Sequence, residues 1–354
     1  MKRCSVACLF FAALILTATT PGVAQTGQRA KAQNVPEIPF ESVPNFLQMP
    51  PDVYLGESMG VARNSKGNLW VYHRRDDTRL FEFDPNGKFV REWGAGSYGF
   101  EFAHKVRVDS EDNVWAVDEG TNMLIKFNPQ GKVVMVLGRR PEAVEGIVEQ
   151  PQGDPPPDER YLFARPTDVG WDPQGNIFVS DGYINHRVVK FDKNGRFIRK
   201  VGSNLRGNQP YQFNTPHSIA VDAQGNVYVA DRGNARIQVF DNNLVLRAIY
   251  DNVGNPWEVC ISPGPHQYLF SSNSNPDSNT PATSWDVSGE IYKMELDGRI
   301  VGKFGRAGKA VGQFQTVHGI DCRNPDELII SEISAWRVQK IRLRPQSPQT
   351  ASVR

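Results

Sequence analysis

The sequence predicts an all-β protein built as a six-bladed β-propeller, and three observations carry that reading. A polar turn followed by an alternating apolar strand occurs six times. After most copies comes a second hairpin pattern with a central Asn-Gly, Asp-Gly or similar turn. Helical periodicity is almost absent between residues 45 and 345.

The repeat is clearest in NSKGNLWVYH (64–73), DSEDNVWAVD (109–118), DPQGNIFVSD (172–181) and DAQGNVYVAD (222–231). Degraded copies follow at SPGPHQYLFSS (262–272) and RNPDELIISE (323–332). Third and fourth strands are read in RLFEFDPNGKFVREWG, LIKFNPQGKVVMVLG, RVVKFDKNGRFIRKVG, RIQVFDNNLVLRAIY and EIYKMELDGRIVGKFG. Four antiparallel strands repeated six times close into a ring around a central channel. The last repeat ends one strand short, after VQKIRLRP, so VPNFLQMPPDVYLG (43–56) is expected to supply the missing strand and close the ring.

The rest of the chain is punctuated around this ring. Residues 1–25 follow the secretory pattern: Lys2 and Arg3, an apolar run from about Val6 to Leu16, then small residues ending near Ala24. The expectation is an exported, periplasmic or extracellular protein without a lipid anchor or membrane span. The expected divisions are a signal peptide (1–25), a flexible lead-in (26–42), the propeller (43–345) and a disordered tail (346–354). Two insertions interrupt the period, a Pro-rich acidic loop from Arg139 to Arg160 and an Asn/Ser/Thr/Pro-rich loop from Asn273 to Ser288.

Charge and cysteine usage exclude some roles. With 40 Lys and Arg against 39 Asp and Glu, and only two cations lost with the leader, the chain is near neutral, which argues against a nucleic-acid surface. A monomer is expected. Beyond the leader only Cys260 and Cys322 remain, in predicted inner strands of consecutive repeats. The compartment permits a disulfide. Two small buried thiols are the reading preferred here.

Function is legible in one column of the repeat. Counting five residues back from the turn residue after each first strand gives Met59, His104, Thr167, His217, Trp257 and His318. Histidine therefore stands on blades two, four and six, a third of a turn apart around the channel mouth. Three imidazoles with one open position form a catalytic zinc geometry, and a closed structural site would need a fourth protein ligand that the pattern does not offer. The other histidines, His73, His186 and His266, share no repeat position and read as local packing or surface residues.

The second strand of each blade returns toward the same mouth, which places Arg74, Tyr183 and Arg232 near the tripod. An arginine there can hold a substrate carboxylate through paired hydrogen bonds, and a tyrosine can act as general base. The competing reading makes Tyr183 ordinary packing and pairs the arginines with Asp118, Asp181 or Asp231.

The repeats resemble NHL repeats. The set AHKV, SDGYINHRVVKF, TPHSIAVD, VADRGNARIQVF and TVHGID closely resembles the peptidyl-α-hydroxyglycine α-amidating lyases, over about residues 45 to 345. That resemblance implies cleavage of the N–C bond in a C-terminal α-hydroxyglycine, giving an amide and glyoxylate. It implies zinc on His104, His217 and His318, Tyr183 as base supported by Arg74, and Arg232 lining the pocket. It also implies a hub calcium held by backbone carbonyls matching Val61 and Val106 and by an acidic residue directly after the third histidine. This chain has Gly319 there, which weakens the case for calcium, although Asp321 lies two residues on. Lys105 replaces a residue that is usually small. At this length the copper monooxygenase of the bifunctional enzymes is not expected within the chain. Two alternatives stand beside the lyase reading: a non-catalytic secreted propeller that binds a protein or glycan, and a lactonase-like hydrolase that relies on hub calcium.

Overall fold

The computed structural model describes Ala32 and residues 34–140, 160–274 and 289–344. The expected leader, most of both insertions and the C-terminal tail lie outside the described residues. Six four-stranded antiparallel sheets form the ring. Blade one comprises β2 (Glu57–Arg63), β3 (Leu69–Arg74), β4 (Thr78–Phe83) and β5 (Phe89–Trp93). Blade two holds β6 (Ala103–Val108), β7 (Val114–Asp118), β8 (Met123–Phe127) and β9 (Val133–Gly138). Blade three is β10 (Asp168–Trp171), β11 (Ile177–Asp181), β12 (Arg187–Phe191) and β13 (Phe197–Gly202). In blade four, β14 (Pro216–Val221) and β15 (Val227–Asp231) lead through one 3₁₀ turn to β16 (Arg236–Phe240) and β17 (Leu246–Tyr250). Blade five is β18 (Pro256–Ile261), β19 (Tyr268–Asn273), β20 (Glu290–Glu295) and β21 (Ile300–Phe304). Blade six is β22 (Val317–Asn324), β23 (Glu327–Glu332) and β24 (Arg337–Leu343), completed by β1 (Phe40–Val43).

The repeated polar residue builds the turn between the first two strands. The Asp222 carboxylate accepts the backbone N–H groups of Gln224 (2.9 Å) and Asn226 (2.8 Å), and Asp172 accepts those of Gln174 and Asn176 in the same way. Gly225 closes the loop at φ +84°, where a Cβ would be strained. Between blades, the second and third strands pack apolar residues against the next sheet, as where Trp115, Val117 and Leu124 meet Val169, Ile177 and Val179.

Two expectations need correction. The closing strand is Phe40–Val43, not the stretch from 43 to 56; it pairs antiparallel with β24, from Phe40 opposite Leu343 to Val43 opposite Lys340. Residues 44–56 instead seal the seam between blades six and one: Phe46, Leu47, Met49, Val53 and Leu55 pack on Val71, Phe81, Phe83 and Ile329. Their Pro-Pro step and clustered side chains suit a packed strap better than an edge strand. Second, Cys260 and Cys322 are disulfide-bonded rather than free, because the inner strands of blades five and six bring their Cα atoms to 6.1 Å.

This bridge closes a segment of 62 residues. Replacing both cysteines by Ala should cost about 2–4 kcal/mol, the usual range for a loop of such length. Calorimetry on the double variant, compared with the oxidised parent, checks this; an unchanged Tm would show that the bridge contributes nothing.

Candidate metal centre

The pairing register explains how each histidine reaches the channel. Between β6 and β7 the register runs from Ala103 opposite Asp118 directly to Lys105 opposite Val117, so His104 is an extra residue in a β-bulge. The same skip falls at His217 between Pro216 and Ser218, and at His318 between Val317 and Gly319. Blade one skips Met59 and blade five skips Trp257 with Glu258. A bulge re-aims a side chain out of the pleat, and here it turns the column of the repeat toward the axis.

Each imidazole is then fixed by the following blade. His104 Nδ1 donates to the Thr167 carbonyl, His217 Nδ1 to the Trp257 carbonyl and His318 Nδ1 to the Met59 carbonyl, each at 2.6 Å. A carbonyl can only accept, so all three rings carry their proton on Nδ1 and turn a bare Nε2 inward. Ring centroids stand 4.8, 4.7 and 4.8 Å apart, a nearly equilateral triangle, and the candidate ligand atoms lie within 4.8 Å of one another. Burial holds all three pKa values well below the usual histidine value, helped by Lys105 at His104 and His318 and by Arg232 at His217. The Nε2 of His318 is buried without a hydrogen-bond partner. Three neutral, inward-facing nitrogens, one of them an orphaned acceptor, fit a divalent ion.

Tyr183 stands over this triangle. Its hydroxyl lies 3.2 Å from His104 Nε2, 3.1 Å from His217 Nε2 and 3.4 Å from Arg232 Nη1. Burial pushes the phenol above its ordinary pKa, with Arg232 pulling against it. The Arg232 guanidinium is stacked 4.3 Å from the centre of the Trp257 ring. Arg74 reaches the mouth from the other side, bonded to Glu57 at 2.6 Å and to the Ala103 carbonyl at 3.2 Å. The acidic strand ends take other partners: Asp181 pairs with Arg187, Asp231 with Arg236, and Asp118 accepts from the Tyr72 hydroxyl. The competing pairing for Arg74 and Arg232 is therefore not the one found.

Two residues at the mouth escape sequence reasoning. Glu119, 2% exposed, bonds Arg165 at 2.8 Å, lies 3.7 Å from Arg74, and sets its other oxygen, which has no hydrogen-bond partner, 3.7 Å from His104 Nε2. Burial raises the Glu119 carboxyl above its ordinary value, against Arg165. Arg165 lies over the Tyr183 ring at 4.7 Å and has a left-handed backbone, φ +57°. Glu119 stands at the same step after the second strand as Arg74 and Arg232 but carries the opposite charge, and Arg165 lies in the connection before β10, in no repeated column. The remaining histidines are local, as expected: His73 packs on Phe81, His186 accepts from the Thr215 N–H, and His266 pairs with Glu295 at the surface.

The residues expected for calcium do not fit that ion. Asp321 is turned to Arg63, which holds it through both its backbone N–H and its Nε at 2.7 Å. A Cβ at Gly319 would meet Ser331 Oγ at 2.5 Å and the blade-one backbone at 3.2 Å, so an acidic side chain there would have to displace Ser331 and press on blade one.

Because the three imidazoles stay unprotonated well below pH 6.5, a bound divalent ion should persist as pH falls from 7.5 to 5.5, and it should leave only when protons reach the depressed pKa values. Metal content after dialysis across that range checks the sign, and loss of the ion near pH 6.5 would contradict it. His217→Ala should leave less than about a tenth of the metal, since two imidazoles make a far weaker site.

The NHL repeat family matches residues 213–240. Peptidylglycine α-amidating monooxygenase of Rattus norvegicus is 31% identical over 261 residues, 64% of this chain but 25% of the rat protein, so the chain spans about a quarter of that relative. A probable peptidyl-α-hydroxyglycine α-amidating lyase of Caenorhabditis elegans is 25% identical over 317 residues, covering 83% of this chain and 84% of its own length. Among solved structures, a gluconolactonase from Xanthomonas campestris superposes with a TM-score of 0.56 at 15% identity over 91% of this chain and 99% of its own, which shows shared fold only. The chain is a six-bladed β-propeller whose residues 213–240 match the NHL repeat, and it resembles the peptidyl-α-hydroxyglycine α-amidating lyases.

Proposed function

We propose that the protein is a zinc-dependent lyase that cleaves the N–C bond of a C-terminal α-hydroxyglycine, releasing an amide and glyoxylate. The observation that carries this reading is the Tyr183 hydroxyl, set between two inward Nε2 atoms and Arg232. A zinc ion held by His104, His217 and His318 would supply Lewis acidity at the open side of the tripod.

The chain's own residues account for the rest. Arg232, stiffened against Trp257, is placed to take the substrate carboxylate as a paired hydrogen bond. Tyr183 receives the proton of the substrate hydroxyl. As that C–O bond becomes the carbonyl of glyoxylate, the C–N electron pair passes to nitrogen, which takes up a proton and leaves as the amide. Atoms balance without water, and no serine or cysteine nucleophile is required. Guanidinium charge from Arg232 and Arg165 opposes the burial that otherwise keeps Tyr183 a phenol. Arg74 and Glu119 complete the wall on the His104 side, with the unpartnered Glu119 oxygen available to a substrate N–H or O–H.

The lyase, a binding propeller and a calcium-dependent lactonase give different results in one assay. Glyoxylate should appear from an N-acyl-α-hydroxyglycine in the zinc-loaded protein. Tyr183→Phe should lower kcat by about 10²-fold or more, the scale of a lost proton acceptor. Arg232→Ala should raise KM while zinc content stays constant. Absence of glyoxylate with zinc bound would leave the binding propeller as the surviving reading, and calcium-dependent lactone hydrolysis that persists in His104→Ala would favour the lactonase.

A further inference from the structure

Beneath the histidine triangle the channel is crossed by four charged side chains. Lys105, on blade two directly after His104, is 1% exposed. Its ammonium donates to Glu258 Oε2 and to the backbone carbonyl of His318, each at 2.5 Å. Glu258 comes from blade five, on the far side of the channel, and His318 from blade six. Arg107, two residues along the same strand, forms an ion pair with Glu258 Oε1 at 2.8 Å and donates to Asp168 Oδ2 at 2.5 Å. Asp168 also accepts from the Ser218 hydroxyl at 2.7 Å and the Ile219 N–H at 3.1 Å. Two cations thus meet two anions, and the cluster is neutral.

The inner strands around it are closely set. A Cβ at Gly60 would lie 2.5 Å from the Val106 nitrogen, and one at Gly319 would meet Gly60 and Val61. Blades one, two and six approach each other backbone to backbone here. A hub carbonyl in such a place needs a positive partner, since an unmet buried acceptor is costly. Lys105 provides it, and its four-carbon stem carries the charge to a carboxylate on the opposite blade.

We propose that Lys105 is the resident cation of the hub: it takes the place that the family resemblance gives to calcium, and by holding the His318 carbonyl it positions the third metal ligand. The inference stands apart from the lyase reading, because it concerns what binds in the channel and how firmly the tripod is set. In this chain the cation is covalently attached, so the hub does not depend on free calcium. The bond runs to the backbone of His318 while the ring of the same residue is fixed by Met59, so the ligand is held at both ends.

The experiment measures calcium response and zinc affinity together. Zinc-loaded wild-type protein titrated with calcium chloride to millimolar concentration should keep its Tm within about 1 °C, because an ion without a native-state site gives no linkage stabilisation. A rise of several degrees, or calcium in stoichiometric amount in the purified protein, would overturn the inference. Lys105→Met, which keeps the stem and removes the charge, should weaken zinc binding by about 10- to 100-fold, the range for losing a partner that orients a metal ligand. Its cobalt-substituted form should show altered visible bands. Lys190→Met is the control: that lysine is 5% exposed in blade three and bonds Asn242 away from the tripod. It should lower Tm with unchanged zinc affinity and cobalt spectrum. Equal zinc affinity in Lys105→Met and wild type would refute the positioning role, and the wild-type calcium titration decides the resident-cation claim even if Lys105→Met does not fold.

Discussion

The site depends on three hydrogen bonds from imidazole Nδ1 to a backbone carbonyl of the neighbouring blade. Each bond does two things. It settles which nitrogen keeps the proton, and it ties an even blade to the odd blade that follows. The third bond, from His318 to Met59, crosses the seam where the chain's last repeat meets its first. That seam is held by β1 on β24 and by the strap of residues 44–56, so closure of the ring and geometry of the triangle are one constraint. A propeller that loosened at the seam would lose the third ligand before it lost its blades.

Charge is layered along the axis. At the mouth, Arg74, Arg165 and Arg232 surround the open side of the triangle, with Glu57 and Glu119 as their acidic neighbours. Below the triangle, Lys105 and Arg107 are matched by Glu258 and Asp168. The lower layer pairs two cations with two anions, whereas three guanidinium groups meet at the upper one. Three neutral histidines lie between them, kept unprotonated by burial and by cations on both sides.

What could be read from the sequence follows from what repetition records. The turn residues Asp109, Asp172 and Asp222 recur because the same carboxylate closes the same loop, and the histidine column recurs because the same bulge turns the same position inward. Tyr183, Arg74 and Arg232 were reachable because each follows a second strand that returns to the mouth. Glu119 stands at that same step after β7, but as an acid it does not share the anion-binding signal of the arginines, and Arg165 lies in the connection before an inner strand, outside any column. Lys105 stood out as a departure, yet its partners did not. Strict strand alternation would turn it away from the face that His104 occupies, and the bulge puts both on the channel side. The pairing with Glu258 follows from the same irregularity on the opposite blade. The closing strand was displaced upstream for a different reason: FESV is short and half-exposed, and its only strong signal is the partner it finds at the other end of the chain.

The alternation of histidine with Met59, Thr167 and Trp257 is a division of labour rather than a decayed sixfold pattern. Odd blades contribute backbone carbonyls to the tripod, a role that leaves their side chains free to differ. Trp257 uses that freedom to support Arg232 at 4.3 Å. Thr167 turns its hydroxyl to the Pro216 carbonyl at 2.7 Å, bracing the strand that carries His217. Met59 is buried against the core between blades one and two. Even blades cannot vary in this way, because the imidazole must donate from one nitrogen and present the other. The ring therefore needs only half its repeats to be chemically fixed. The other half is free to differ, which is how a six-fold scaffold can set a three-fold candidate metal site beside an asymmetric group of Tyr183, Arg232 and Trp257.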